Sequence, residues 1–273
     1  MSDELFPFLD EDSGLVGDAV LKQFRTPAGR FTAVDDVSFR FGAGEIWGIV
    51  GESGSGKSTL ARMLVGLDAP SSGALRYRGK PITDLVRYRA FRIPFRREVQ
   101  FIAQDTTSSF DSRLTLRASL RLPVRNLTTL RGSAMDERID ETLAQLEIRA
   151  ELADRYPDQV SGGQRQRFAI ARALVVRPRL LVCDEVVSAL DVSVQGAVLN
   201  LLKAYSRATG AGIVFVSHGV PATAFLADWI AVMRFGRILE TADTATLLAS
   251  PRNPYTKHLL EVQSPPLLPA NES

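Results

Sequence analysis

The sequence predicts an α/β fold: a mostly parallel sheet flanked by helices, with an antiparallel β subdomain and an inserted α-helical subdomain. Three patterns carry that expectation. The apolar runs Ile46-Trp47-Gly48-Ile49-Val50, Leu180-Leu181-Val182-Cys183 and Ile213-Val214-Phe215-Val216 have the length and composition of strands covered on both faces. Val34, Val37, Phe39 and Phe41 show the alternation of strands with one wet face and suggest antiparallel pairing. Ile139, Leu143, Leu146 and Ile148 fall at helical spacing, in a stretch where β-branched runs thin out.

Composition narrows the class without naming a function. The 273 residues suffice for a sizeable core bearing a subdomain. With 45% hydrophobic and 23% charged residues, the chain has the balance of an ordinary soluble globular protein. Its formal charge of +2 is too small to argue for a nucleic-acid partner. One cysteine, Cys183, excludes an intramolecular disulfide and a cysteine-built cluster within the chain, in keeping with a reducing compartment. The start Met1-Ser2-Asp3-Glu4-Leu5-Phe6 is acidic where a secretory leader is basic, and no later apolar run approaches a membrane span. The expected location is cytoplasmic, with membrane attachment only through a partner.

In chain order, residues 1–16 are acidic and turn-rich and read as a flexible extension. A core with its antiparallel β subdomain is expected over 17–104 and 175–240, a helical subdomain over 105–174, and a C-terminal extension over 241–273. The Ser71-Ser72-Gly73 turn introduces a strand-like Leu75-Arg76-Tyr77-Arg78. Arg87, Arg89, Arg92, Arg96 and Arg97, interleaved with aromatics, fit a solvated helix surface better than a nucleic-acid face. Val99-Gln100-Phe101-Ile102-Ala103 is a further short strand that delivers Gln104 to its end. Ser161 is placed to cap an amphipathic helix running through Phe168, Ile170, Ala171 and Leu174, and Gly162 and Gly163 beside it permit close approach of another group.

The strongest local signal follows the first strand. Gly51-Glu52-Ser53-Gly54-Ser55-Gly56-Lys57-Ser58 satisfies the pattern GxxxxGK[ST], and Thr59-Leu60-Ala61-Arg62-Met63-Leu64-Val65 after it reads as a helix. A strand feeding a helix through glycines turns backbone N–H groups toward the positive end of the helix dipole, where a di- or triphosphate is stabilised. Lys57 is expected to reach the terminal phosphates and Ser58 to ligate Mg²⁺, as in P-loop NTPases. The strand at 180–183 ends in Asp184 and Glu185, one suited to hold the metal shell and the other to polarise a water against the γ-phosphate. His218 ends the strand at 213–216, and ligand groups gather at the carboxyl ends of strands in open α/β sheets.

Taken together, the loop Gly51 to Ser58, Gln104, Ser161-Gly162-Gly163-Gln164, Asp184-Glu185, the turn Ser188-Ala189-Leu190-Asp191 and His218 resemble, in content and order, the ATP-binding subunit of an ABC transporter. The resemblance spans about Val20 to Val262. The phrases Asp191-Val192-Ser193-Val194-Gln195 and Asn253-Pro254-Tyr255-Thr256, with the phosphate loop, are similar to the oligopeptide, dipeptide and nickel importers of that family.

That resemblance implies roles by position. Lys57 and the backbone around Gly51, Ser53, Gly54, Ser55, Gly56, Ser58 and Thr59 hold the phosphates of ATP; Ser58, Gln104 and Asp184 surround Mg²⁺. Glu185 is the general base, and His218 contacts the γ-phosphate and the water. Ser161, Gly162, Gly163 and Gln164 meet the nucleotide of a second subunit, with Asp191 at the same interface. Phe24, or failing it Phe31, stacks on adenine. Residues 106–113 couple to a membrane-spanning partner, with Phe110 as an apolar contact or an ordinary core aromatic.

The implied partners are a second ATP-binding subunit, distinct or a copy of this chain, two membrane-spanning permease subunits and an extracytoplasmic solute-binding protein, without nucleic acid. The implied location is the cytoplasmic face of the membrane. Three positions depart from the family pattern: Val186 and Val187 replace the usual proline and threonine, and Gly219 replaces the usual aspartate. They raise the alternative of a subunit with weak turnover acting as the regulatory half of a heterodimer. A non-transport ATPase of the same class is a further alternative, although it would favour a coiled-coil insertion, tandem halves or a basic surface. The proline-punctuated tail after Tyr255 has no cysteine for an iron–sulfur cluster.

Overall fold

The computed structural model describes residues 14–27, 29–105, 109–188, 190 and 192–263. The chain runs β1 (Leu15–Thr26), β2 (Gly29–Phe41), β3 (Ile46–Val50), α1 (Lys57–Leu64), β4 (Ser72–Tyr77), β5 (Lys80–Pro81), α2 (Ile82–Arg87), α3 (Arg89–Glu98) and β6 (Val99–Ile102). It continues through α4 (Leu116–Leu127), α5 (Ser133–Gln145), two short 3-10 turns, α6 (Gly162–Leu174), β7 (Leu180–Asp184), α7 (Val192–Thr209) and β8 (Gly212–Ser217). The last elements are α8 (Val220–Leu226), β9 (Trp229–Arg234), β10 (Arg237–Asp243), α9 (Thr244–Ala249) and α10 (Pro254–Gln263).

Two sheets result. β2-β1-β4-β5 is antiparallel throughout, and β10-β9-β3-β8-β7-β6 is parallel except for its β9–β10 edge. Every residue of β3, β7 and β8 is buried, because apolar layers cover both faces of those strands. Side-chain alternation divides each strand between the layers. Trp47, Ile49, Val182, Val214 and Val216 face the cluster shared with α1 and the antiparallel sheet, while Ile46, Val50, Leu181, Cys183, Ile213 and Phe215 face the cluster shared with α6, α7 and α8. Stacked Phe39 and Phe41, with Phe41 4.7 Å from Trp47, tie the antiparallel sheet to the larger one.

The helical residues Ile139, Leu143, Leu146 and Ile148 are all buried, and α5 packs against α4 and α6. The arginines of α2 and α3 are exposed, as a solvated surface requires; Phe95 alone is buried in α3. At both chain ends order extends further than the sequence suggests. Leu15 and Val16 already pair with Phe41 and Arg40, so the strand invades the expected 1–16 extension. β10 runs through position 241, and α10 folds back with Tyr255, Thr256 and Leu259 buried. No helix of the described residues is long and apolar enough to cross a membrane.

Candidate nucleotide site

Four neighbouring strands converge on one edge of the larger sheet. Register pairs Val50 with Ser217, Val216 with Asp184, and Cys183 with Ile102, so the carboxyl ends of β3, β8, β7 and β6 lie nearly level. The loops leaving those ends carry the phosphate-loop residues, His218, Glu185 and Gln104, which is how residues spread from Gly51 to His218 become neighbours.

The phosphate loop depends on glycine at two close approaches. Gly51 has φ 156°, and a Cβ there would lie 2.0 Å from the Met233 carbonyl oxygen of β9; Gly56 has φ 99°, and its Cβ would lie 2.1 Å from the Ala33 carbonyl oxygen. Gly56 also begins α1 without a side-chain cap, which leaves the first-turn amides around Lys57, Ser58 and Thr59 without a side-chain acceptor from that position. The loop is further pinned by Gly236 N–H donating to the Ser55 carbonyl at 3.0 Å and by Glu52 N–H donating to the Tyr255 hydroxyl at 3.2 Å. Ser53 and Gly54 lie at the exposed crest of the loop.

Lys57 is buried at the centre of this loop. Its ammonium donates to the Gly51 and Glu52 carbonyls, both at 2.8 Å, and to Ser55 Oγ at 3.2 Å. Burial lowers its pKa from the ordinary lysine value, against the opposing pull of Glu185, Asp184 and Glu52. Ser58 Oγ donates to Asp184 Oδ1 at 2.9 Å across 126 residues of chain. Burial holds the Asp184 carboxyl above the usual carboxylate range, the Ser58 bond pulls it back, and the neighbouring Glu185 charge pushes it up again.

Glu185 sits at φ 50°, the left-handed region that costs a β-carbon residue energy, and its amide donates to the Val216 carbonyl of β8 at 2.9 Å. That strained turn swings the side chain off the strand axis toward the loops. Gln104 Nε2 donates to Glu185 Oε2 at 2.9 Å, and His218 Nδ1 lies 3.6 Å from the same oxygen. Val186 and Val187, two of the three positions that depart from the family pattern, are buried in the core beneath this turn.

The structure thus brings Lys57, Ser58, Asp184, Glu185, Gln104 and His218 together. The Ser161 peptide is built separately, at the start of α6. Ser161 Oγ accepts from Gln164 N–H at 3.3 Å while Gln164 Oε1 accepts from Ser161 N–H at 3.0 Å, a reciprocal cap that consumes both side chains within the turn. A Cβ on Gly162 would meet nothing within 4 Å, and one on Gly163 only the Val194 and Leu190 side chains beyond 3.6 Å, so this turn faces open space. Phe24 and Phe31 are direct cross-strand partners near the β1–β2 hairpin tip, both exposed, with Lys22 5.0 Å from the Phe24 ring.

Phe110 takes the second of its two expected places. It is buried in the core with the Arg172 guanidinium 4.4 Å from its ring centre, so it serves as a core aromatic and is not presented as an apolar contact. Residues 106–108 and Asp191 lie outside the described residues. Sequence reasoning missed Tyr255 and Gln263 of α10, whose side chains reach the phosphate loop and the His218 turn. The phrase Asn253-Pro254-Tyr255-Thr256 pointed to the segment; nothing local in it specifies a contact 203 positions away.

Comparison with known proteins agrees with this geometry. Residues 34–188 match the ABC transporter family. The chain is 44% identical over 238 residues to the nickel import ATP-binding protein NikE of Brucella suis, covering 87% of this chain and 88% of that protein. It is 40% identical over 243 residues to the oligopeptide transport ATP-binding protein OppF of Bacillus subtilis, covering 88% and 79%. Among solved structures, the dimeric post-hydrolysis state of the ATP-binding cassette MJ0796 bound to ADP and Pi superposes with a TM-score of 0.77 at 27% identity, covering 84% of this chain and 98% of that one. With the family matched over more than half its length and its loops converging on one sheet edge, the chain belongs to the ABC transporter family, as an ATP-hydrolysing subunit.

Proposed function

We propose that this subunit powers solute import by closing with a second ATP-binding subunit around ATP. The observation that carries the reading is the linkage of four strand-end loops by side chains, Ser58 to Asp184 and Gln104 with His218 to Glu185.

In this reading the amides from Gly54 to Thr59 and the Lys57 ammonium take the phosphates. Lys57 must trade part of its bonding to Gly51, Glu52 and Ser55 for phosphate oxygens as they enter. Ser58, Asp184 and Gln104 would hold Mg²⁺, since two oxygens 2.9 Å apart at the loop's end suit a hard cation. When bound, that ion neutralises charge on the phosphoryl oxygens. Glu185 accepts the proton of the attacking water, Gln104 and His218 fix the orientation of its carboxylate, and the bond from the γ-phosphorus to the bridging oxygen breaks to give ADP and phosphate.

Ser161, Gly162, Gly163 and Gln164 present the helix start of α6 to the γ-phosphate bound by the other subunit, a role that its exposed, self-capped turn supports. Asp191 belongs to that interface by resemblance. Phe24 stacks on adenine, supported by its exposure on the hairpin. One site built from two chains makes ATP binding favour the closed pair and hydrolysis release it.

The partners are two permease subunits, which place this chain at the cytoplasmic face of the membrane, an extracytoplasmic solute-binding protein, and an ATP-binding mate. The names of its relatives support nickel or a peptide as the class of solute. The assignment of 17–104 with 175–240 to the ATPase core and 105–174 to the helical subdomain belongs to the same proposal.

The test is ATPase activity of the purified complex with wild-type chain and with Glu185→Gln. A fall of about a hundredfold or more is expected from loss of a general base. Equal rates would remove Glu185 from the chemistry and favour the regulatory alternative.

A further inference from the structure

The turn that carries His218 is held from an unexpected quarter. α8 starts at Gly219, which occupies the cap position with extended backbone, φ −95° and ψ 114°, and has no side chain to offer the first-turn amides. Gln263, the last residue of α10 and 43 positions further on than Val220, fills that place. Its Oε1 accepts from Val220 N–H at 2.7 Å, and its Nε2 donates to the His218 carbonyl at 2.8 Å. A single amide therefore closes both sides of the turn, the outgoing helix start and the carbonyl of the histidine itself.

Two further bonds within the turn join its other residues. Ser217 Oγ accepts from Gly219 N–H at 3.0 Å, and the Gly219 carbonyl accepts from Thr223 Oγ1 at 2.9 Å. Pro221 has no N–H, so of the first three amides of α8 only those of Val220 and Ala222 exist to be satisfied. The other end of α10 is fixed as well. Tyr255 is buried, its hydroxyl accepts from Glu52 N–H of the phosphate loop, and the Arg234 guanidinium lies 4.4 Å from its ring centre. One helix thus grips two loops of the nucleotide site, and Gln263 is its contact with the histidine loop.

We propose that Gln263 is a positioning residue for His218, supplying from the C-terminal helix the hold that Gly219 cannot give. The inference rests on the reading that His218 meets the γ-phosphate and water, and the experiment separates the two. Steady-state ATPase of the assembled transporter is measured for wild type, Gln263→Ala, Gly219→Asp/Gln263→Ala, His218→Ala and His218→Ala/Gln263→Ala, with melting temperatures for each.

Gln263→Ala is expected to lower kcat about fivefold while KM for ATP stays within about twofold, the signature of lost orientation at the chemical step. Gly219→Asp should restore at least half of that loss. A Cβ at 219 meets only Ser217 Oγ, at 3.6 Å, and an aspartate in extended backbone there can accept from Ala222 N–H. In the His218→Ala background the Gln263 change should add nothing, because a positioning residue has no effect once its client is gone.

An unchanged kcat in Gln263→Ala, a loss that Gly219→Asp leaves in place, or an equal further loss in the His218→Ala background would each overturn the proposal. Normal turnover in His218→Ala alone would instead overturn the role given to the histidine. If Gln263→Ala does not fold, Gln263→Glu replaces it, retaining the acceptor for Val220 and losing the donor to the His218 carbonyl; an unchanged kcat there overturns the proposal equally.

Discussion

Gln104 and Glu185 stand 81 positions apart in the chain, yet the Gln104 amide donates to Glu185 Oε2 at 2.9 Å, and His218 Nδ1 lies 3.6 Å from the same oxygen. The bond is possible because β6 and β7 are parallel neighbours that end one residue out of step. It fixes one oxygen of the carboxylate that we propose as the proton acceptor, and it ties the loop after β6 to that group.

Gln104→Glu should therefore replace an attraction with a repulsion between two carboxylates. We expect kcat to fall about tenfold with a smaller change in KM for ATP, since phosphate binding rests on other residues. Steady-state kinetics of the assembled transporter reads this directly. A rise in KM with kcat preserved would place Gln104 in ground-state binding instead.

Asp184 is a buried carboxylate held by Ser58. Its folded pKa lies above the ordinary carboxylate value of 3.8, chiefly through burial, so folding favours the protonated form. The stability this gives is fully present below pH 3.8 and is lost as pH rises through the raised folded pKa. Asp184→Asn removes the charge while keeping an acceptor for Ser58. At neutral pH it should raise the melting temperature of the nucleotide-free protein while abolishing turnover. The gain over wild type should shrink toward pH 4, as differential scanning calorimetry across pH would show.

Gly56→Ala should be among the costliest small substitutions in the chain. A left-handed φ of 99° and a carbonyl oxygen 2.1 Å from the new Cβ leave the loop no room to adjust locally. We expect a loss of ~2 kcal/mol or more in stability together with loss of ATP binding. Gly54→Ala has a positive φ of 80° but nothing within 4 Å, so its cost should be about 1 kcal/mol. Chemical denaturation and nucleotide titration of the two variants side by side make the comparison.

Ser161→Ala separates a cap from a catalytic contact. Loss of the cap alone should cost about 1 kcal/mol of stability. If the turn also meets the nucleotide of the mate, ATPase of the complex should fall at least about tenfold while ATP binding to the isolated subunit is preserved. A stability loss with full activity would leave Ser161 as a helix cap only.

Much of the site was legible because its chemistry is local. The spacing of glycines around Lys57, acids directly after the apolar run at 180–183, and serine ahead of an amphipathic helix are each set by neighbours in sequence, where backbone sterics and hydrogen bonding act. The β-branched runs likewise announced strands buried on both faces. Phe110 was ambiguous because an aromatic suits a core and an interface equally, and only packing against Arg172 decides between them.

The sequence by itself determined the main elements, the phosphate loop and the candidate site residues, since those follow from residue type and short-range spacing. Tertiary structure decided which groups meet. The order β3-β8-β7-β6 brings Gln104, Glu185 and His218 to one oxygen, β9 presses its Met233 carbonyl on Gly51, and α10 returns from the chain's end to hold Glu52 and His218. Such contacts depend on strand order and on where a distant helix docks. Both are set by burying apolar surface across the whole domain, and no stretch of a few neighbouring residues encodes them.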